Sequence, residues 1–174
     1  YNKDDIFDAF YQKERWYWDG NQWAIPFCWG LVSLIYDPSK MPKPESYTDL
    51  LKPEYKNTVV YLDPRSTGVG QVMTFAANFA AGGDMNNVKP GLDYLGQLHK
   101  AGSVLRVLGT TPYAQFVKGE IPIWISYEND GLKAKYTDGL GDAVAVVVPK
   151  EASAAAPYGI SLVEKGPNPN AGKL

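Results

Sequence analysis

One cysteine and one histidine stand among 174 residues, and both scarcities narrow what this chain can do. A single thiol, Cys28, closes no internal disulfide and fits either a reducing or an oxidising compartment. With one imidazole, at His99, a zinc site of nitrogen and sulfur ligands would need several carboxylates to complete it. His99 sits late in an amphipathic segment, where a solvated role near a helix C-terminus suffices. Cys28 lies in the apolar stretch "IPFCWG", where a buried and unreactive thiol is expected. No run of about 18 apolar residues is present, so no membrane insertion of this segment is expected. The polar opening "YNKDDIFDAF" is not a signal peptide. Seventeen Lys and Arg against 19 Asp and Glu leave a net charge of −2, which gives no basic footprint for nucleic acid. There is no phosphate-cradling G-x-x-x-x-G-K-[ST], and "GVGQVM" lacks the third glycine of a dinucleotide fingerprint. No catalytic residue, metal ligand or cofactor is assigned.

What is present is globular: 45% hydrophobic and 21% charged residues exclude disorder and fibrous repeats. The run "LVSLIYDP" is β-rich and stopped by Pro38. "KMPKPESYTDLLKPEYKN" carries a short helix capped by Ser46, with Asp49 three positions on. "TVVYLD" is a short buried strand. From Val69, the positions Val72, Met73, Ala76, Phe79 and Ala80 keep helical spacing up to Gly82-Gly83. A second helix is expected over Pro90 to Lys100 with Leu92, Leu95 and Leu98 inward. "SVLRVL" is a strand. "TTPYAQFVKGE" is a short helix with Thr111 as cap, Pro112 first and Gly119 as stop. "IPIWISYEND" is a strand with a polar end, and "DAVAVVVPK" a fully apolar one. Strands alternating with helices predict an α/β layer structure, its sheet mostly parallel or mixed with helices on both faces.

In such sheets ligands sit beyond strand ends, where loops meet helix N-termini. "YLDPRSTGVGQ" lies at such a place and admits two readings: a helix cap, or a seat for an anionic part of a ligand. A capping box is absent, since Val69 and Gly70 stand where Ser66 or Thr67 would need an acidic or amide partner. Gly68 and Gly70 weaken a helix, and bare backbone lets a ligand approach the N–H groups, which favours the ligand seat. Trp16, Trp18, Trp23 and Trp29 crowd the opening segment, and Trp124 and Tyr127 stand beside Glu128 and Asp130 at a strand end. Each tryptophan alone fits a core; together with the carboxylates they fit a pocket with an apolar wall and a few polar groups.

The order "GNQWAIPFCWGLVSLIYDPSKMPKPESYTDLLKPEYKNTVVYLDPRSTGVG", "FVKGEIPIWISYENDG" and "VVVPKEASAAAPYGISLVEKGPNPNAGKL" resembles the extracellular solute-binding proteins of bacterial ABC importers. Within them it is most similar to the cluster that takes ferric iron, thiamine, phosphonates or polyamines. The resemblance implies a periplasmic-binding-protein type II fold. Residues 1–36 would be a lobe-one fragment with a hinge strand, 37–148 a nearly complete lobe two, and 149–174 the return to lobe one. It also implies that family members extend beyond this chain at both ends.

A binding role with no covalent chemistry follows from that resemblance: two lobes close on a small-molecule solute and dock on ABC transporter permease subunits. The location implied is periplasmic, or extracellular and membrane-anchored, in a bacterium. Ser66, Thr67 and Gly68, with neighbouring Arg65, are carried over as the anion seat, Trp124, Tyr127 and Glu128 as pocket groups, and Trp29 as the lobe-one candidate. Iron-binding members place two adjacent tyrosines where this sequence has Tyr127 followed by Glu128, which disfavours iron. A solute bearing an anionic group is preferred, with ferric iron or a polyamine as alternatives. A transferase-like enzyme on the same two-lobed fold is the alternative from another class.

Overall fold

The computed structural model describes residues 25–172. The chain divides into two compact units, one of Leu31–Ala155 and the other of the flanking segments up to Gly30 and from Ala156. The tryptophans at 16, 18 and 23 lie outside the described residues.

β1 (Ile25–Tyr36) is a single long strand, carrying the chain from the flanking unit into the larger one. Pro38 ends it as expected. Next come two 3₁₀ turns, Asp49–Leu51 and Pro53–Tyr55, rather than one helix. Pro53 has no N–H to continue a helical ladder, so the turn restarts there. The expected cap does form: Asp49 N–H donates to Ser46 Oγ, and Ser46 N–H donates to the Asp49 carboxylate.

β2 (Val59–Leu62), β3 (Val104–Leu108) and β4 (Ile123–Tyr127) follow, alternating with α1 (Gly68–Ala80), α2 (Lys89–Lys100) and α3 (Tyr113–Val117). β2 is parallel to both β3 and β4, whereas β1 is antiparallel to β4 and to β5 (Ala145–Val147). The sheet order is β3-β2-β4-β1-β5, with β6 (Ala155–Ile160) paired to β1 off this path. This is the mixed α/β sheet that the alternation predicts. β4 leads directly into α4 (Glu128–Leu132), which continues as a π-helical turn over Lys133–Thr137. A last short helix, α5, covers Pro169–Gly172.

All five residues of β4 and all four of β2 are buried, since each is covered on both faces. On one face Trp124, Ile35 and Val60 pack with Phe116, Ala134 and Val144. On the other, Tyr61 donates to or accepts from His99 of α2 at 2.8 Å. α1 and α2 are stapled through buried Asn78, whose Nδ2 donates to the carbonyls of Asp84 and Asn87 and whose Oδ1 accepts from Gly91 N.

Three local expectations are corrected. Leu92 faces solvent, and Tyr94 takes the inward position beside Leu95 and Leu98. The hydroxyl of Tyr94 reaches the carbonyl of Tyr47, which anchors that ring inward. α3 starts at Tyr113 with Pro112 at its cap and no side-chain cap bond, so Thr111 is not a cap. β5, from the run expected as a fully apolar strand, is half-buried because on this path it is an edge strand bonded to β1. Cys28 is exposed, not a core thiol.

Candidate functional site

Because β2, β3 and β4 run parallel, each strand-to-helix connection leaves the sheet on one edge. That edge gathers residues 63–67 ahead of α1, 109–112 ahead of α3, and the head of α4 at Glu128. The connection after β3 was not singled out from the sequence. The parallel order of three strand-helix units is the signal that places it there.

The β2–α1 connection is knotted around Asp63. Its N–H donates to Leu108 O at 2.8 Å, and its carbonyl accepts from Ser66 N, Thr67 N and Thr67 Oγ1. Its carboxylate accepts from Arg65 through the backbone N–H, Nε and a terminal guanidinium nitrogen, the last at 2.6 Å. Arg65 therefore sits on its neighbour, with its side chain 87% exposed. That guanidinium holds the Asp63 carboxyl at about 2, below the usual carboxylate range.

Thr67 is the N-cap of α1: its hydroxyl accepts from Gly70 N at 3.1 Å while donating to Asp63 O at 2.8 Å. The cap reading thus accounts for Thr67. Gly70 is also structural, because a Cβ there would meet Leu62 O at 2.3 Å and Asp63 C at 2.7 Å. Ser66 and Gly68 differ. The exposed Ser66 hydroxyl makes no hydrogen bond among the described residues, and it faces Gly109, whose Cβ would lie 3.8 Å from Ser66 Oγ. Nothing stands within 4 Å of where a Cβ of Gly68 would be. The N–H groups of Gly68 and Val69, first in the helix, have no partner among the described residues. A free hydroxyl and two free N–H groups at the positive end of a 13-residue helix can bind an anion.

At the end of β4, Tyr127 is buried and Glu128 half-buried. Leu31 N–H donates to Glu128 Oε2, and Glu128 makes no ion pair among the described residues. Behind it Ser126 Oγ donates to Asp130 Oδ2 at 2.7 Å, and burial pushes the Asp130 carboxyl up. Trp124 is a core residue rather than a pocket wall. It is fully buried against Phe116 and Tyr113, because its position in β4 turns it under α3. Trp29 is half-exposed on the part of β1 that belongs to the flanking unit. Among the described residues, no three His, Cys, Asp or Glu side chains gather in a way that could hold a metal ion.

The fold is shared with solved binding proteins. The periplasmic binding protein AfuA from Actinobacillus pleuropneumoniae, solved with exogenous fructose-6-phosphate bound, is 20% identical with a TM-score of 0.77. That match covers 98% of this chain and 52% of AfuA. The spermidine/putrescine ABC transporter substrate-binding protein PotD from Streptococcus pneumoniae, in complex with calcium and HEPES, is 21% identical with a TM-score of 0.63, covering 88% of this chain and 46% of PotD. A periplasmic thiamin binding protein is 21% identical with a TM-score of 0.61, over 88% of this chain and 46% of its own. This chain thus spans about half the length of the structures it resembles, and the likeness is one of fold: the type II architecture of periplasmic binding proteins. None of the curated proteins matches it in sequence. Residues 3–174 match the family described as bacterial extracellular solute-binding protein, and the chain belongs to that family.

Proposed function

We propose that this chain is part of a solute-binding protein of a bacterial ABC importer, and that its larger unit holds the anionic group of a small solute at the head of α1. The observation that carries the reading is the division of labour in residues 65–70. Thr67 and Gly70 are engaged in building the helix start, while the Ser66 hydroxyl, the N–H groups of Gly68 and Val69, and the open space over Gly68 are left facing outward. A helix start that needed only a cap would not require both glycines. Arg65 is neutralised by its ion pair with Asp63 and does not offer the solute a free guanidinium.

Glu128, half-buried at the neighbouring strand end, gives the solute a carboxylate to meet with a hydroxyl or amino group. A phosphorylated or carboxylated solute carrying such donors is the class favoured, and the phosphate of the fructose-6-phosphate held by AfuA belongs to that class. The partners proposed are that solute and the permease subunits of the importer; the location is the periplasm, or the outer face of the membrane through an anchor. Native mass spectrometry of the full-length protein tests this. A retained solute with an acidic group supports the seat, a retained polyamine moves the reading to Glu128 and Asp130 as the principal ligands, and turnover of the solute would overturn a pure binding role.

A further inference from the structure

The ladder between β1 and β4 runs from Tyr36 opposite Ile123 to Val32 opposite Tyr127. It stops there because β4 ends at Tyr127 and the chain turns into α4 at Glu128. β1 does not stop: it continues back through Leu31 to Ile25. The next ladder position therefore lacks a backbone acceptor from β4, and the Glu128 carboxylate supplies one, accepting from Leu31 N. Leu31 is also the residue at which the chain enters the larger unit, since the division falls between Gly30 and Leu31. One residue on, Val32 is held from the other side, its N–H donating to Ala154 O and its carbonyl accepting from Ser153 Oγ. Those partners sit just before the second crossing, between Ala155 and Ala156.

We infer that Glu128 is a positioning residue for the crossing strand: its carboxylate ties Leu31 to the end of β4, so that movement of one unit against the other is taken up on the Gly30 side of that bond, where β1 runs beside β6, and not in the β1–β4 ladder. Before Leu31, β1 keeps β6 as a neighbour but has left β4; a strand bonded on one side flexes more readily than one bonded on both, and each bond added moves the flexing point along the chain. Glu128 stands at the strand end where the solute is proposed to bind. The inference rests on that reading only for what the movement serves: a solute group that engages Glu128 acts on the same carboxylate that holds Leu31, and so couples occupancy to the crossing.

The test uses no solute, so its failure is separate from failure of the binding reading. In the full-length protein, with Cys28→Ser and every cysteine outside residues 1–174 likewise replaced, spin labels on Gln97→Cys in the larger unit and Glu164→Cys in the flanking unit report the inter-unit distance distribution. Hydrogen exchange reports the Leu31 amide. Glu128→Ala is expected to broaden the distribution and to speed Leu31 exchange by about tenfold or more, the loss of a hydrogen bond to a charged acceptor. Glu128→Gln keeps an acceptor oxygen and is expected to restore both readouts. Should Glu128→Ala not fold, Glu128→Ser keeps a helix-start residue that is too short to reach Leu31 and is expected to behave as Glu128→Ala does. An unchanged distribution in the Ala or Ser variant, or equal broadening in the Gln variant, overturns the inference.

Discussion

Gly70 rests against the carbonyl of Leu62: a Cβ at this position would come within 2.3 Å of that oxygen and 2.7 Å of Pro64 N. These are backbone atoms of the strand end and the loop knotted to it, so they cannot turn aside as a side chain would. Gly70→Ala is therefore expected to cost about 1–3 kcal/mol, as overpacking does. Gly68→Ala, with nothing within 4 Å, is expected to leave stability unchanged or slightly raised, because alanine is better suited to a helix by about 0.5–1 kcal/mol. Urea unfolding of the two variants separates the packing glycine from the open one. Equal costs would mean that the close approach of α1 to β2 is not tight.

Asp63 gives an acid limb to the stability of the same loop. Its carboxyl lies at about 2, chiefly through the Arg65 side-chain bond, and below its value in an unfolded chain. The stabilisation is thus present above about pH 4 and is lost as pH falls towards about 2. Arg65→Ala should lower stability at pH 7 and converge with the wild type at the acid end. Denaturant melts at pH 7, 4 and 2.5 check this, and a constant offset across the range would show that Arg65 acts by something other than the carboxylate.

How far the sequence could be read follows from which contacts are local. The helical spacing from Val72 to Ala80 and the cap of Ser46 with Asp49 lie within one segment, and the structure has both. Leu92 does not face inward, because the buried stripe of α2 is set by where Tyr94 meets Tyr47, 47 residues away, not by leucine count. Trp124 and Tyr127 looked alike at a strand end, yet alternation along β4 sends them to opposite faces, and α3 covers Trp124. The bond from Leu31 to Glu128 spans 97 residues and has no sequence signature at all. Of the glycines in "STGVG", composition could not say which faces β2 and which faces open space, since that depends on the angle at which α1 meets the sheet.

Asp130 is expected to behave oppositely to Asp63. Burial raises its carboxyl, partly offset by the Ser126 hydroxyl and by Lys133. A folded-state value above the unfolded one favours the protonated form, so this group's contribution is most favourable below about pH 4 and is lost as pH rises past its folded value. Asp130→Asn keeps an acceptor for Ser126 Oγ without the charge. It should be more stable than the wild type at pH 7, with the gap closing in acid. A variant less stable at pH 7 would show that the attraction of Lys133 outweighs desolvation.

Ser66 and Thr67, adjacent and chemically similar, are expected to separate completely. The Thr67 hydroxyl joins Gly70 N to Asp63 O, so Thr67→Ala removes a helix cap and should cost about 1 kcal/mol of stability. The Ser66 hydroxyl makes no hydrogen bond among the described residues, and Ser66→Ala should change stability by less than about 0.5 kcal/mol. Binding should show the reverse order. A hydroxyl that donates to an anionic group contributes roughly 1.5–3 kcal/mol, so Ser66→Ala should weaken affinity by about tenfold or more. Thr67→Ala should weaken it less, because the capping hydroxyl is turned towards Asp63 and Gly70 and acts on the solute only by holding the N–H groups in place. Calorimetric titration with the solute identified by mass spectrometry, beside thermal melts of the same samples, gives both numbers for each variant. Wild-type affinity in Ser66→Ala would remove the anion from the head of α1 and leave the residues around Thr67 as a helix start alone.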